Sequence, residues 1–326
     1  MRERPADIRD SDVAAALARQ WLLTVRELSY LPVGFGGYHW LAVDQAHSRW
    51  FVTVSDLAAP WVPDLPATMQ TAAWLATEAG LEFVVAPVPT SAGQVVGSLD
   101  SQHALTLFPH LDVAPSSFKD PIDDVDRAAI IDLLARLHTA IPQAIQVPSR
   151  PLELANRETI EQALASLDDS WSGGPYAEPS RDLLARYERP LRQAFARFDR
   201  LLDRVRETGG PYVITHGEPH PGNLLRTPTG LRLVDWDMIA LARPERDLWW
   251  VIKDDRDAAR YSRRTGWPVN QDALALYRLR WGLDDIAEFL SEFRRPHQET
   301  ADTVVSWKAL QETLESFLLS PDVKNS

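Results

Sequence analysis

No cysteine occurs anywhere in the chain, which removes disulfides, thiolate metal sites and cysteine nucleophiles together and permits a reducing, intracellular home. Lysine is nearly as scarce. It stands only at positions 119, 253, 308 and 324, so most of the 34 basic residues are arginine. Long apolar runs are missing too: no stretch approaches the roughly 20 residues that a membrane-spanning helix needs. The first 22 residues spread charge along their length where a secretory leader would carry an apolar run. Positive charge is in deficit, with 46 acidic against 34 basic residues and a formal net charge of −12. That balance speaks against a nucleic-acid surface and suits a cationic partner, although acidity for solubility alone would look the same. The expectation is a cytoplasmic protein with neither membrane nor nucleic acid among its partners; monomer and homodimer both stay open.

What is present is an ordinary globular composition, 45% apolar and 25% charged over 326 residues, enough to bury the cores of two lobes. Apolar spacing predicts a helix over 13–23, with Ser11 or Asp12 as its cap, then three short strands over 28–33, 39–43 and 49–54. Between the first two strands lies Val33-Gly34-Phe35-Gly36-Gly37-Tyr38, whose glycines permit a tight turn. A helix over 67–79 ends at Gly80, and strands follow over 83–86, 94–98 and 104–108. After a connector near 108–115 the period changes to that of helices, over 125–140, 156–167, 181–206, 271–293 and 300–318. Two short strands, 212–215 and 231–234, interrupt them. The pattern is α+β, with a small β-rich part followed by a larger, mostly helical one.

The sharpest feature is His216-Gly217-Glu218-Pro219-His220-Pro221-Gly222-Asn223, which leads into the second short strand and then Asp235-Trp236-Asp237. If the strands at 212–215 and 231–234 are hairpin-related, Glu218, Asn223 and Asp235 meet at one end of the pair. An amide oxygen and a carboxylate suit a hard cation such as Mg²⁺. A further carboxylate is equipped to orient a hydroxyl or accept its proton. Together they form the minimum set for metal-assisted phosphoryl transfer.

This segment resembles the catalytic and metal-binding loops of aminoglycoside phosphotransferases and choline-kinase-like small-molecule kinases. Their pattern is H-G-D-x-x-x-x-N, then D-x-D, then a segment similar to Pro244-Glu245-Arg246-Asp247-Leu248. The run Ile130 to His138 is similar to the helix that follows the hinge in that family. The resemblance implies a bilobal, protein-kinase-like fold, with a nucleotide-binding N-terminal lobe over 1–108 and a helical C-terminal lobe over 109–326 carrying the catalytic loop and acceptor site. It implies ATP or GTP and Mg²⁺ as cofactors, Asn223 and Asp235 as metal ligands, Asp237 as an assisting carboxylate, and a hinge at Leu107 to His110. Phe108 and His110 would meet the base there. Asp247 would support the catalytic loop. His39 and His138, without metal-ligand spacing, read as packing or hydrogen-bonding residues.

Two departures stand beside the match. The catalytic Asp of the family is Glu218 here, a methylene longer. Where the family carries a Lys for the donor α- and β-phosphates, the third strand, Trp50-Phe51-Val52-Thr53-Val54, places Thr53, and the helix after it lacks the Glu that would pair such a Lys. Backbone amides of Gly34, Gly36 and Gly37 would compensate by approaching the phosphates; an ordinary hairpin turn is the alternative.

On the acceptor side, Asp284, Asp285 and Glu288 lie within one helical turn, and the like charges repel unless a cation is shared. With Asp237 they form the candidate substrate residues, and Trp249, Trp250, Trp267 and Trp281 are candidate walls. The nearest resemblance is to the spectinomycin-phosphotransferase branch. The reading is a kinase that phosphorylates a hydroxyl of an aminocyclitol or aminoglycoside-like acceptor, an antibiotic-resistance activity. The alternatives are a catalytically impaired kinase-fold protein that sequesters its ligand, and a metabolic kinase of a sugar or macrolide.

Overall fold

The structure is a computed structural model that describes residues 1–58, 64–113, 117–118, 120–142 and 145–318, the last three by backbone alone. Its elements run α1 (Asp10–Trp21), β1 (Val25–Leu31), β2 (Tyr38–Asp44), β3 (Arg49–Asp56), α2 (Leu65–Thr77), β4 (Gly97–Ser98), β5 (His103–Pro109), α3 (Asp124–His138), α4 (Arg157–Ala165) and α5 (Ala177–Thr208). Then come β6 (Val213–Thr215), a 3₁₀ turn at Pro221–Asn223, β7 (Leu224–Thr227), β8 (Gly230–Leu233), β9 (Ala240–Ala242), α6 (Glu245–Leu248), α7 (Asp255–Thr265), α8 (Gln271–Arg294) and α9 (Ala301–Leu318). The connector predicted over 108–115 is described through Val113; its last two residues lie outside the described residues. Among the described residues no helix is long and apolar enough to cross a membrane.

The chain forms two compact units, one from Met1–Arg150 with Pro211–Val269, the other from Pro151–Gly210 with Asn270–Ser326. In the first, an antiparallel sheet of order β1-β2-β3-β5-β4 follows from strict alternation. Trp40 and Ala42 of β2, Val52 and Val54 of β3, and Leu105 and Leu107 of β5 all face one side. There they bury against Ile8 and against Val13 and Leu17 of α1. Each such large side chain withdrawn from water contributes ~1.5–3 kcal/mol. Asp10 ties the helix to the sheet by accepting from Trp40 Nε1 at 2.7 Å. The alternate residues, among them His39, Thr53 and Phe108, therefore share the opposite face.

Three expectations need correction. The first helix starts at Asp10, so neither Ser11 nor Asp12 caps it; Asp10 and Asp12 sit instead in its first turn, where the helix dipole favours anions. Over 83–86 no strand forms, and Val84 makes only an isolated bridge to Leu233. Pro87 and Pro89 interrupt the segment, and it serves as a stitch: Val85 N–H donates to Leu233, and Val88 N–H to Leu107. Lastly, 212–215 and 231–234 do not pair with each other. β7 folds back on β8 through a turn with Gly230 at φ 120°, and β6 pairs with β9, because the local hairpin closes over far less chain.

The second unit is helical, with α8 packed on α4, α5 and α9. Asn270 caps α8 by accepting from Ala273 N–H. Helix α5 continues through Pro190, which leaves the carbonyl four residues earlier without its helical partner.

Candidate active site

The loop between β6 and β7 is held from beneath by one carboxylate. Asp247, fully buried, accepts from His216 N–H at 2.8 Å and Gly217 N–H at 2.7 Å, and its Oδ2 lies 3.1 Å from His138 Nε2. His138 in turn meets Tyr261 Oη at 2.8 Å. Burial alone would raise the Asp247 carboxyl, but the hydrogen bond and charge interaction with His138, with the charges of Arg246 and His216 after them, hold it below its ordinary range. His216 is fixed in one neutral tautomer: Nδ1 accepts from Glu218 N–H, so Nε2 carries the proton and donates to Val234 C=O at 2.9 Å. Burial lowers its pKa to about 4. His216 thereby ties the start of the loop to the strand end that leads into Asp235.

Gly217 has a second reason to be glycine. Its φ is 103°, and a Cβ there would lie 2.3 Å from Arg246 Nη2. Arg246 cannot give way freely, since it donates to Thr215 Oγ1 at 2.8 Å and Met238 C=O at 2.9 Å. Gly217→Ala is expected to lower stability by ~1–3 kcal/mol, read as a fall in the urea midpoint; an unchanged midpoint would mean that the loop does not rest on Arg246.

On this platform the candidate metal ligands come together. Val234 N–H donates to Asn223 C=O at 3.0 Å, which places Asp235 next in chain to the residue bonded to Asn223, at the end of the 3₁₀ turn. The Asn223 amide donates through Nδ2 to Glu218 C=O at 3.0 Å, so nitrogen and oxygen of the amide are assigned and Oδ1 is turned the other way. Asp235 adopts φ 68°, a left-handed conformation that is uncommon for a non-glycine residue and recurs at functional sites. Desolvation raises the Asp237 carboxyl well above its ordinary range, and the charges of Asp235 and Glu218 raise it further. Asp235 is raised as well, by desolvation, although its side chain keeps an open face to solvent. An amide oxygen beside mutually repelling carboxylates is a hard-oxygen donor set that a divalent cation would relieve. The set fits a hard divalent ion such as Mg²⁺. Among the described residues no three His, Asp or Glu side chains would hold a metal by themselves.

His220 lies beside Glu218, its Nε2 4.0 Å from Glu218 Oε2. Its ring meets Phe118 edge-on at 4.9 Å and Trp250 at 5.7 Å, and Trp249 packs on Trp250 at 4.2 Å. Of these aromatics the sequence marked Trp249 and Trp250; it did not mark His220 or Phe118, which only the fold brings together.

Among the residues expected to meet a nucleotide, Gly34 and Gly36 have φ of 72° and 85°, and Gly37 packs over Thr53. Of the hinge groups, Leu107 C=O accepts from Val88 N–H and His110 N–H donates to Arg49 C=O. Phe108 is paired with Phe51 across β3 and β5. A cavity of about 890 Å³ lies between α2 and α3, lined by Trp74, Arg136 and Ile141 among others, and includes none of the candidate residues.

The acceptor candidates belong to the second unit. Along α8, Asp284 and Glu288 continue to Glu292 at the same spacing, and burial followed by the charges of Glu292 and Asp284 pushes Glu288 up to about 7. Asp284 also accepts from Arg280 Nε at 3.2 Å, so part of its charge is answered within the helix.

A curated relative, Protein StrN of Streptomyces griseus, is 29% identical over 244 residues, 72% of this chain and 73% of its own length. A spectinomycin phosphotransferase solved with ADP and spectinomycin superposes with a TM-score of 0.76 at 16% identity, covering 95% of this chain and 97% of its own. Choline kinase LicA from Streptococcus pneumoniae gives 0.59 at 16% identity, covering 94% and 99%. Those structural likenesses are of fold, the α+β kinase-like fold. The model of the phosphotransferase enzyme family APH matches residues 27–295, and the chain belongs to that family.

Proposed function

We propose that the protein transfers the γ-phosphoryl group of ATP or GTP, with Mg²⁺, to a hydroxyl of a compact cationic acceptor of the aminocyclitol or aminoglycoside type. The observation that carries this is the meeting of Glu218, Asn223, Asp235 and Asp237 above a loop locked by Asp247. Residues 1–108 serve the donor and residues 109–326 the catalytic loop and acceptor. Such a nucleotide-dependent reaction in a chain without cysteine suits the cytoplasm.

Asn223 Oδ1 and Asp235 would hold the metal, which when bound would supply charge neutralisation for the transferring phosphoryl group. Glu218 orients the acceptor hydroxyl and takes its proton as the acceptor oxygen bonds to the γ-phosphorus and the bond to the leaving nucleoside diphosphate oxygen breaks. The longer reach of Glu218 is tolerable because positioning, more than covalent chemistry, is what the protein contributes. His220, packed against Phe118 and Trp250, lies beside Glu218, and burial lowers its pKa to about 4, so it stays neutral there.

Asp284, Asp285 and Glu288 would meet ammonium groups of the acceptor. Glu288 is charged above about pH 7 and neutral below it, so attraction for a cation grows as pH rises through 7. The apparent KM for a cationic acceptor is expected to fall over that interval, and Glu288→Gln to flatten the dependence without changing KM for a neutral sugar. The test is transfer of labelled γ-phosphate, with Mg²⁺, to panels of aminocyclitol, sugar and macrolide acceptors. Label on the cationic panel supports the reading; label only on neutral acceptors supports a sugar or macrolide kinase. Binding without transfer supports a sequestering protein.

A further inference from the structure

The face of the first sheet turned away from the core carries two cross-strand rows. His39 of β2, Thr53 of β3 and Thr106 of β5 stand side by side, as do Leu41, Phe51 and Phe108 one step along the strands. The rows are ~7 Å apart, two residues of strand rise. One is polar and the other apolar and aromatic, the division that separates the phosphates of a nucleotide from its base. The turn from Gly34 to Gly37 lies over the polar row. A Cβ on Gly34 would sit 2.9 Å from His39 Nε2, and one on Gly37 would sit 3.2 Å from His39 Cε1 and 3.3 Å from Thr53 Cγ2.

No lysine or arginine joins either row. Arg49 is on the same face two residues beyond Phe51, where it pairs with Asp112. The Met1 α-ammonium donates to carbonyls of the turn, those of Val33, Gly34 and Gly37. What the polar row offers is an imidazole and hydroxyls. Thr53 Oγ1 lies 3.2 Å from His39 Nδ1; with the hydroxyl donating to Nδ1, the ring proton is on Nε2, directed at the glycine turn. Phe51 packs against the same ring at 4.9 Å and limits its rotation.

We propose that this row binds the donor's phosphates without a fixed side-chain cation: neutral His39 donates through Nε2–H, Thr53 sets its tautomer, and backbone amides of the glycine turn close over the group. The proposal rests on the phosphotransfer reading above and deepens its donor side. Burial, with the nearby α-ammonium second, lowers the His39 pKa to about 3, so the ring is a neutral donor at working pH. Neutralising the phosphates then falls more heavily on the metal held by Asn223 and Asp235.

The test is calorimetric binding of adenosine, guanosine, MgADP and MgGDP, using the preferred base, to wild type, His39→Leu and His39→Gln, with thermal midpoints to confirm folding. His39→Leu should weaken the nucleoside diphosphate about tenfold or more and leave the nucleoside within about twofold. His39→Gln, which restores an N–H donor near Nε2, should recover most of the loss. Wild-type affinity for the diphosphate in His39→Leu, equal losses for nucleoside and diphosphate, or no recovery in His39→Gln would each overturn the row while leaving phosphotransfer standing. Failure of the wild type to bind either diphosphate would overturn both.

Discussion

Asp235→Asn is expected to reduce phosphoryl transfer by about 10³-fold or more while raising the thermal midpoint of the metal-free protein. The two effects have one cause. Asp235, Asp237 and Glu218 crowd negative charge into one place: desolvation raises both Asp235 and Asp237, and the charges of Asp235 and Glu218 raise Asp237 further. A carboxyl that binds its proton more tightly in the folded state costs stability as pH rises from its unfolded value, ~3.9, through the folded one. The cost grows as pH rises through that interval. Removing one charge relieves it, and removes with it a ligand for the ion that would otherwise balance the site. Adding Mg²⁺ and ADP should close the stability gap by favouring wild type alone. A variant that keeps wild-type turnover, or that is destabilised without metal, would show Asp235 to be an ordinary strand-end residue.

Asp247→Ala is expected to have the largest effect on folding, a loss of ~3–5 kcal/mol. Two buried N–H groups, of His216 and Gly217, would lose their acceptor, and His138 would lose its carboxylate partner. Because the folded-state pKa of Asp247 is depressed, its contribution is complete above the unfolded value of ~3.9 and disappears only as pH falls through the lower folded value. The difference between wild type and variant in urea should therefore be constant from pH 5 to 8. A difference near zero at pH 7 would mean that the loop is supported elsewhere.

The candidate loop was legible in sequence because its residues are neighbours in the chain: His216 to Asn223 and Asp235 to Asp237 are two short runs, and Pro244 to Leu248 a third. The α+β division was legible because apolar period changes from two to about 3.6 after Pro109. What failed was pairing. β7 and β9 are four and three residues long, too short for periodicity to register, so the strand at 212–215 was matched to the wrong partner. Side chains that meet across the chain were also invisible. Phe118 joins His220 from about a hundred residues away, and the His39–Thr53 pair depends on a register that only the folded sheet fixes. Gly217 reads as a loop glycine in any sequence; that it must avoid Arg246 is a fact of packing.

We propose that Asn223 and Asp235 bind a divalent ion together beside Glu218. Electron paramagnetic resonance of Mn²⁺ in the presence of ADP measures it most directly, comparing wild type with Asn223→Ala and Asp235→Asn. Nucleotide-dependent capture of Mn²⁺ by wild type, lost in both variants, is the expected result. Equal capture in all three proteins would contradict the claim.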